Sequence, residues 1–393
     1  MTFDAAELLD LADPAVVADP YPHFRALRGR APVAWHSGLG LYVATSHAAC
    51  SQLLRDRNLG RIVAPRLPEQ EWATFNWLHA DSILESEPPK HTRLRRLVAG
   101  AFGRGHVARM APRIDLLARR LLDGCAERLS EHGSFDVLAG LAEPLPVLVI
   151  AELLDWPEAD RHLLRPWSQA IVAMYEVTRT REQEAEARTA SAEFAEYVEQ
   201  LAAERARRPG ADLLSDLVLA RDGSDRLSAR ELVATAVLLL NAGHEASVNG
   251  FGNGLASLLA SGRAWGDPGR LVEEMLRHDS PLHLFERTAT VDTQVGDVLV
   301  ARGEKVAALL GAANRDPEVF AEPDEFRPGR DPNPHLAFGA GLHFCVGAPL
   351  ARLELSISIR RLAERVGPVR VVEAVRRPTF VLRGYERLVL APA

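Results

Sequence analysis

The chain is 393 residues long, 47% hydrophobic and 25% charged, with 46 Lys and Arg against 53 Asp and Glu for a formal net charge of −7. This is an ordinary globular composition able to bury a large core, and its acidic balance argues against a nucleic-acid binder, which would show a basic footprint. Three scattered cysteines, Cys50, Cys125 and Cys345, offer no disulfide framework, and no linker, low-complexity tract or repeat divides the chain, so one domain over residues 1–393 is expected.

Between Met1 and Pro20, Asp4, Glu7, Asp10, Asp13 and Asp19 interrupt the apolar residues. That pattern is neither a secretory signal nor a membrane anchor, so the expectation is a soluble cytoplasmic protein with no membrane partner. Pro32 to Trp35 and Leu41 to Ala44, separated by a short glycine-containing stretch, predict a hairpin after an N-terminal helix. Helical periodicity dominates from about Arg93 to Ala206.

The next segment, about Ser228 to Ala260, is the most telling helix. Ser228 and Glu231 form the S-x-x-E capping-box pattern, and Leu232 to Leu240 is almost wholly apolar, which predicts a helix crossing the interior. Strand-like pieces follow at Thr293 to Val300, Val369 to Val372 and Thr379 to Leu390. The fold class is mainly α with a small β region.

Inside the central helix lies Asn241-Ala242-Gly243-His244-Glu245-Ala246-Ser247. A mid-helix glycine costs about 1 kcal/mol relative to alanine, and the plain reason for one is close packing of another helix. Glu274 and Arg277, three apart, share a helix face, which taken alone reads as a surface ion pair. His91 and Arg95 are four apart and share a face in the same way.

Near the C-terminus, Phe338-Gly339-Ala340-Gly341-Leu342-His343-Phe344-Cys345-Val346-Gly347 surrounds one cysteine with glycines. The following Ala348-Pro349-Leu350 reads as a helix start, where Pro's missing N–H costs little. N–H groups at a helix start favour negative charge, so Cys345 is expected as thiolate, the form that binds metal. A lone cysteine is more often an inert apolar residue. A zinc site of His343 and Cys345 competes poorly, because no C-x-x-C pair exists. A cysteine nucleophile paired with His343 stays open at this level.

The ten residues resemble the haem-binding loop of the cytochrome P450 family, whose F-G-x-G-x-H-x-C-x-G form is matched at every fixed position. The resemblance extends from Asp19-Pro20-Tyr21-Pro22 to the final strands. It implies the family fold, with a long central helix over haem b and Cys345 as the iron's fifth ligand in a loop that includes Phe338, Gly339, His343 and Gly347. It aligns Ala242, Gly243, Glu245, Ala246 and Ser247 with the oxygen-binding motif A-G-x-[DE]-T, with Ala246 where the threonine is usual. It implies a structural set of Glu274, Arg277 and Arg330, and His91, Arg95, Arg287 and His343 as partners of the haem propionates.

Trp77, Met174, Leu238, Asn241, His283 and Leu284 are the implied substrate contacts. The implied activity is insertion of one oxygen atom from O2 into a mid-sized organic metabolite by a monomer. Electrons are expected from a ferredoxin and its reductase, docking on a surface that includes Arg93, Arg96 and Arg104. Two rivals remain: oxidative coupling, ring closure or desaturation at the same cofactor, and a catalytically idle haem protein that binds a small molecule.

Overall fold

The computed structural model describes residues 3–62, 64–99, 104–220 and 225–393, with side chains from Val107 onward in the helix that begins at Arg104. The central helix spans Ala229–Ser261 and begins with the expected capping box. Glu231 N–H donates to Ser228 Oγ at 3.2 Å, and Ser228 N–H donates to Glu231 Oε2 at 2.9 Å. The helix ends at Gly262, whose φ of 63° is the left-handed conformation glycine accepts without strain.

Apolar residues on nearly every side make this helix the axis of the main core, shared with the helices Arg104–His132, Pro144–Leu153 and Arg181–Arg207. The helix Pro268–His278 crosses it so closely at Gly254 that a Cβ there would collide with Met275. The Glu274 and Arg277 side chains are carried on that same crossing helix.

A five-stranded sheet flanks the helices, in the spatial order Val33–His36, Leu41–Ala44, Lys305–Leu309, Leu284–Ala289, Leu59–Gly60. The predicted hairpin is present, pairing Val33 with Ala44 and His36 with Leu41. The stretch expected as one strand near Thr293 to Val300 is two short strands, Thr293–Val295 and Val298–Val300, turning at Gly296 with φ 56°.

The last expected strand also starts later, at Tyr385–Pro392, and pairs with Val369–Arg376. Residues 380–382 form a loop instead because their N–H groups have another acceptor. Phe380 and Val381 donate to Glu176 Oε2 at 3.1 Å, and Leu382 donates to Glu176 Oε1 at 2.8 Å. Among the described residues, no helix is long and apolar enough to cross a membrane.

Candidate active site

The cysteine loop is shaped by two left-handed glycines. Gly339 has φ 69° and Gly341 φ 70°, and a Cβ on Gly341 would run into the Leu54 carbonyl oxygen, so the loop lies directly on backbone at the end of the helix His47–Arg55. Cys345 N–H donates to Phe338 O at 2.9 Å, which closes the loop. The helix Ala348–Val366 follows, with Pro349 in its first turn and Gly347 at its N-cap. Phe338 packs beside Phe344, with ring centroids 6.3 Å apart, and beneath the Arg352 guanidinium at 4.4 Å.

Cys345 is the exposed one of three free cysteines, the other two being buried. Its thiol is nevertheless shifted upward. Burial is the largest influence and raises it, whereas the Gly347 N–H, Arg95, the Ala348 N–H and Arg352 pull it down. The thiolate expected from the sequence is thus opposed by burial and favoured by the helix start and the arginines. The helix start and arginines act in the expected direction, but desolvation outweighs them, and a coordinating metal cation reverses that balance. Among the described residues, no three His, Cys, Asp or Glu side chains are grouped to hold a metal ion.

The remaining polar residues of this region gather into one cationic set. His343 Nε2 lies 2.9 Å from Glu87 Oε1, and its ring is 4.4 Å from that of His91. His91 is buried, its Nδ1 has no partner, and burial followed by His343 and Arg95 pulls its pKa down to about 4. Arg287 is buried, with Nη2 unpartnered and its guanidinium 4.5 Å over Phe285. Burial, then Arg61, brings Arg287 down to about 9. Arg95 lies close enough to Cys345 to interact with its charge.

Sequence reasoning missed Arg61. It reaches the set because Gly60 pairs with Thr288, which sets Arg61 beside Arg287, and both guanidinium groups share the Phe285 ring. No local signal marks it, since the pairing is long-range. Arg61 Nε, Arg287 Nη2 and His91 Nδ1 are all buried donor positions without partners. Two arginines and a histidine with orphaned nitrogens fit a bound anion, and a nearby sulfur fits a soft metal. Haem carries both, in its propionates and its iron.

On the central helix, Leu238, Ala242 and Ala246 recur every fourth residue and are half-buried or exposed within a largely buried stretch. They form a small-residue face able to lie against a flat group. Gly243 is closely packed: a Cβ there would sit 3.2 Å from Ile150 Cδ1, so its missing side chain makes room for the helix Pro144–Leu153. Glu245 is buried and accepts from Arg377 Nη1 at 2.8 Å. Ser247 and Asn241 are buried as well, and Asn241 Oδ1 has no partner.

The residues taken as substrate contacts sit in different surroundings. Trp77 is half-buried beneath the Arg230 guanidinium at 5.4 Å. Met174 is buried in the main core, and its carbonyl accepts from Arg66 at 3.1 Å. Leu284 is half-buried and pairs with Leu309. His283 is a correction: it is wholly buried among Tyr21, Phe24 and Phe380, with a Gly311 Cβ position only 2.8 Å from its Nε2. Successive side chains of an extended chain face opposite ways, so His283 packs where Leu284 does not.

Glu274, Arg277 and Arg330 form one buried knot. Arg277 forks onto Glu274 at 2.7 and 2.8 Å, and Arg330 Nε adds a contact at 3.2 Å. Arg277 also donates to the carbonyls of Asn314, Pro323 and Glu325. Of the arginines taken as a docking surface, Arg93 is committed to Glu231 and to the Arg226 carbonyl, tying the helix Lys90–Ala99 to the start of the central helix. Arg96 is exposed, and the Arg104 side chain lies outside the described residues.

A family model described as Cytochrome P450 matches residues 270–366, the stretch from the Glu274 knot through the cysteine loop. Nocardicin C N-oxygenase of Nocardia uniformis subsp. tsuyamanensis is 38% identical over 370 residues, covering 91% of this chain and 90% of its own length. The 6-deoxyerythronolide B hydroxylase of Saccharopolyspora erythraea is 34% identical over 402 residues, with 96% and 97% covered. Among solved structures, P450BioI in complex with hexadec-9Z-enoic acid ligated acyl carrier protein superposes with a TM-score of 0.91 at 32% identity, over 97% of this chain and 100% of that one. Likeness that spans both chains and encloses a cysteine loop built in this way means that the chain belongs to the cytochrome P450 family and is an oxidoreductase.

Proposed function

We propose that the chain is a single-domain, monomeric, cytoplasmic monooxygenase that inserts one oxygen atom from O2 into a mid-sized organic metabolite. It holds haem b through Cys345 and takes electrons from a separate ferredoxin and ferredoxin reductase. The observation that carries this reading is the exposed Cys345 thiol at a helix start, close to a cationic set with orphaned nitrogens on His91, Arg287 and Arg61. Relatives named as an N-oxygenase and a hydroxylase support oxygen insertion.

Haem bound through a thiolate supplies the oxygen chemistry, because electron density pushed onto iron favours cleavage of the O–O bond. The chain's own residues bind, orient and protonate. Cys345 takes the metal, with Arg95, Arg352 and the helix start lowering the cost of its negative charge. His91, Arg95, Arg287, His343 and Arg61 hold the propionates, which complete the orphaned donors. Leu238, Ala242 and Ala246 exclude water from one side of the site.

Proton supply is where this chain departs from its family. Ala246 has no hydroxyl, and Ser247 is turned about 100° away by one residue of helix. Glu245 is the acid on the helix, and it is gripped by Arg377, so passing a proton through it requires that contact to give way to water. The donor at residue 246 is therefore ordered water or a hydroxyl of the substrate itself. The same departure supports a second reading, oxidative coupling, ring closure or desaturation, in which no oxygen is retained. Product mass separates them, since insertion adds one oxygen atom and coupling removes two hydrogens. Substrate-dependent product formation would exclude an idle carrier.

Arg96 contributes to the ferredoxin-docking surface in this reading, through charge pairing that is screened by salt. The deciding experiment is the carbon monoxide difference spectrum of the Cys345→Ser protein. Loss of the family's band is expected, and full retention would overturn the ligand assignment. A spectral binding screen of metabolites on the native protein then identifies the substrate.

A further inference from the structure

Two buried asparagines, Asn249 and Asn253, lie on the stripe of the central helix that Leu238, Ala242 and Ala246 begin. Asn253 is fully used. Its Nδ2 donates to the carbonyls of Asp279 at 3.3 Å and Arg383 at 2.8 Å, and its Oδ1 accepts from Arg376 Nη1 at 2.8 Å. Asn249, one turn nearer the open face, has no protein partner at either Nδ2 or Oδ1. An unpaired buried amide is costly, and native interiors resolve such groups with ordered water.

The fold has made room for this amide. Any Cβ on Gly384 would overlap Asn249 Oδ1, so the C-terminal loop passes it as bare backbone. The Gly384 carbonyl accepts from the Arg377 N–H at 3.1 Å, and Arg377 is the residue that grips Glu245. A helical side chain leans back over the preceding turn, which for Asn249 carries Ala246 and Glu245, three and four residues earlier. Acid, arginine, glycine and asparagine therefore share one neighbourhood at the closed end of the Ala242–Ala246 face.

We propose that Asn249 is a positioning residue that holds an ordered water beside Glu245 and Ala246, and that this water stands in for the hydroxyl residue 246 lacks. The inference rests on the oxygen-activating reading above. The amide does not titrate near neutral pH. It orients the water through its N–H donor and carbonyl acceptor, while the Glu245 carboxylate, gripped by Arg377, forms the other wall of the water's place and relays protons to it from solvent. A proton that leaves the water towards the open face is replaced from the Glu245 side, so the water is regenerated and Asn249 is unchanged.

Two measurements test this on the full chain. A high-resolution crystal structure is expected to show a water within hydrogen-bond distance of the Asn249 amide and of either Glu245 or the residue 246 backbone. A dry amide, or one bonded to protein alone, overturns the proposal. The second measurement is NADH consumed per O2 in haem-loaded protein, driven by a surrogate ferredoxin and reductase with no substrate added. Reduction to peroxide takes two electrons and two protons, one NADH per O2; reduction to water takes four of each, two NADH per O2.

Native protein is expected to give a ratio above one. Asn249→Leu is expected to raise the peroxide-to-water ratio roughly tenfold, the equivalent of one lost hydrogen bond, and Asn249→Gln, which keeps both the N–H donor and the carbonyl acceptor, to restore part of the difference. A native ratio already at one, or the same ratio in all three proteins, overturns the assignment. The carbon monoxide band read on the same samples separates the two failures. Its absence from native protein sinks the haem reading, whereas its presence with an unchanged ratio sinks the role of Asn249 alone.

Discussion

The cysteine side of the molecule and the cover formed by Glu176 with the C-terminal loop are fixed by opposite means. Beneath Cys345, the loop rests on the Leu54 backbone through Gly341, and the Glu274–Arg277–Arg330 knot locks the segment that leads into it. At the cover, one carboxylate receives three backbone N–H groups from residues 380–382, joining the connection between the helices Leu164–Val172 and Arg181–Arg207 to the chain's end. The first region is a static cradle made of special residues. The second is a clasp that any carboxylate of the right reach could make, backed by the packing of Phe380 and Val381 in a hydrophobic cluster.

The comparison breaks most severely at Glu274. It is wholly buried, and burial, which would raise its pKa, is outweighed by Arg277, the Arg327 N–H and Arg330, leaving it lowered. Glu274→Ala strands two arginines and is expected to cost roughly 3–5 kcal/mol, the range for breaking a buried pair by removing one partner. Chemical denaturation should show the lost midpoint, and the carbon monoxide band should fall with it. A variant as stable as native protein would mean that the knot does not hold the cradle.

Gly341→Ala is the next largest effect. A left-handed conformation costs a residue with a side chain about 1–3 kcal/mol, and here the added methyl also meets the Leu54 carbonyl. Gly339→Ala pays the backbone strain alone, since its nearest neighbour, His343 O, is 3.8 Å away. Haem retention on dilution should therefore fall further for position 341 than for 339. Equal losses would show that the contact with Leu54 gives way.

At the clasp, Glu176→Gln keeps the shape but removes the charge and one acceptor. A hydrogen bond to a charged group contributes about 2 kcal/mol, which corresponds to roughly thirtyfold faster amide exchange at Phe380, Val381 and Leu382. Exchange measured by mass spectrometry on that loop, with global stability close to native, is the expected outcome. Unchanged exchange would mean that the loop is held by its packing and not by Glu176.

These differences also explain what was legible beforehand. The capping box of Ser228 and Glu231, the glycine-bracketed Cys345 and the Glu274–Arg277 spacing are local patterns, and each is realised within a few residues of where it is written. Arg61, Glu176 and Asn249 meet residues more than a hundred positions away, so nothing beside them in the chain announces it. His283 misled because a histidine next to Leu284 looks available until alternation turns it into the aromatic core. Gly243 and Arg93 each have a partner that the local sequence does not show, Ile150 in packing and Glu231 in an ion pair.

The smallest effect belongs to the rim of the cradle, where Glu273 accepts from Arg352 at 2.6 and 2.8 Å and lies 3.0 Å from His335. Burial pushes the Glu273 carboxyl up, but Arg352 and His335 outweigh it and hold it at about 2, against 4.5 for the free group. A depressed carboxylate stabilises the fold above its unfolded value and loses that contribution as it takes up a proton in the folded state. The contribution of Glu273 is therefore full at neutral pH and disappears as pH falls from about 4.5 to about 2. Both side chains are partly exposed, so its size is about 1 kcal/mol. Because Arg352 also lies over Phe338, the loss should reach the cysteine loop. Unfolding midpoints of native protein and Arg352→Gln, compared from neutral pH downward, should differ most at pH 7 and converge in acid. A constant gap across that window would assign the effect of Arg352 to its packing on Phe338 instead of its charge.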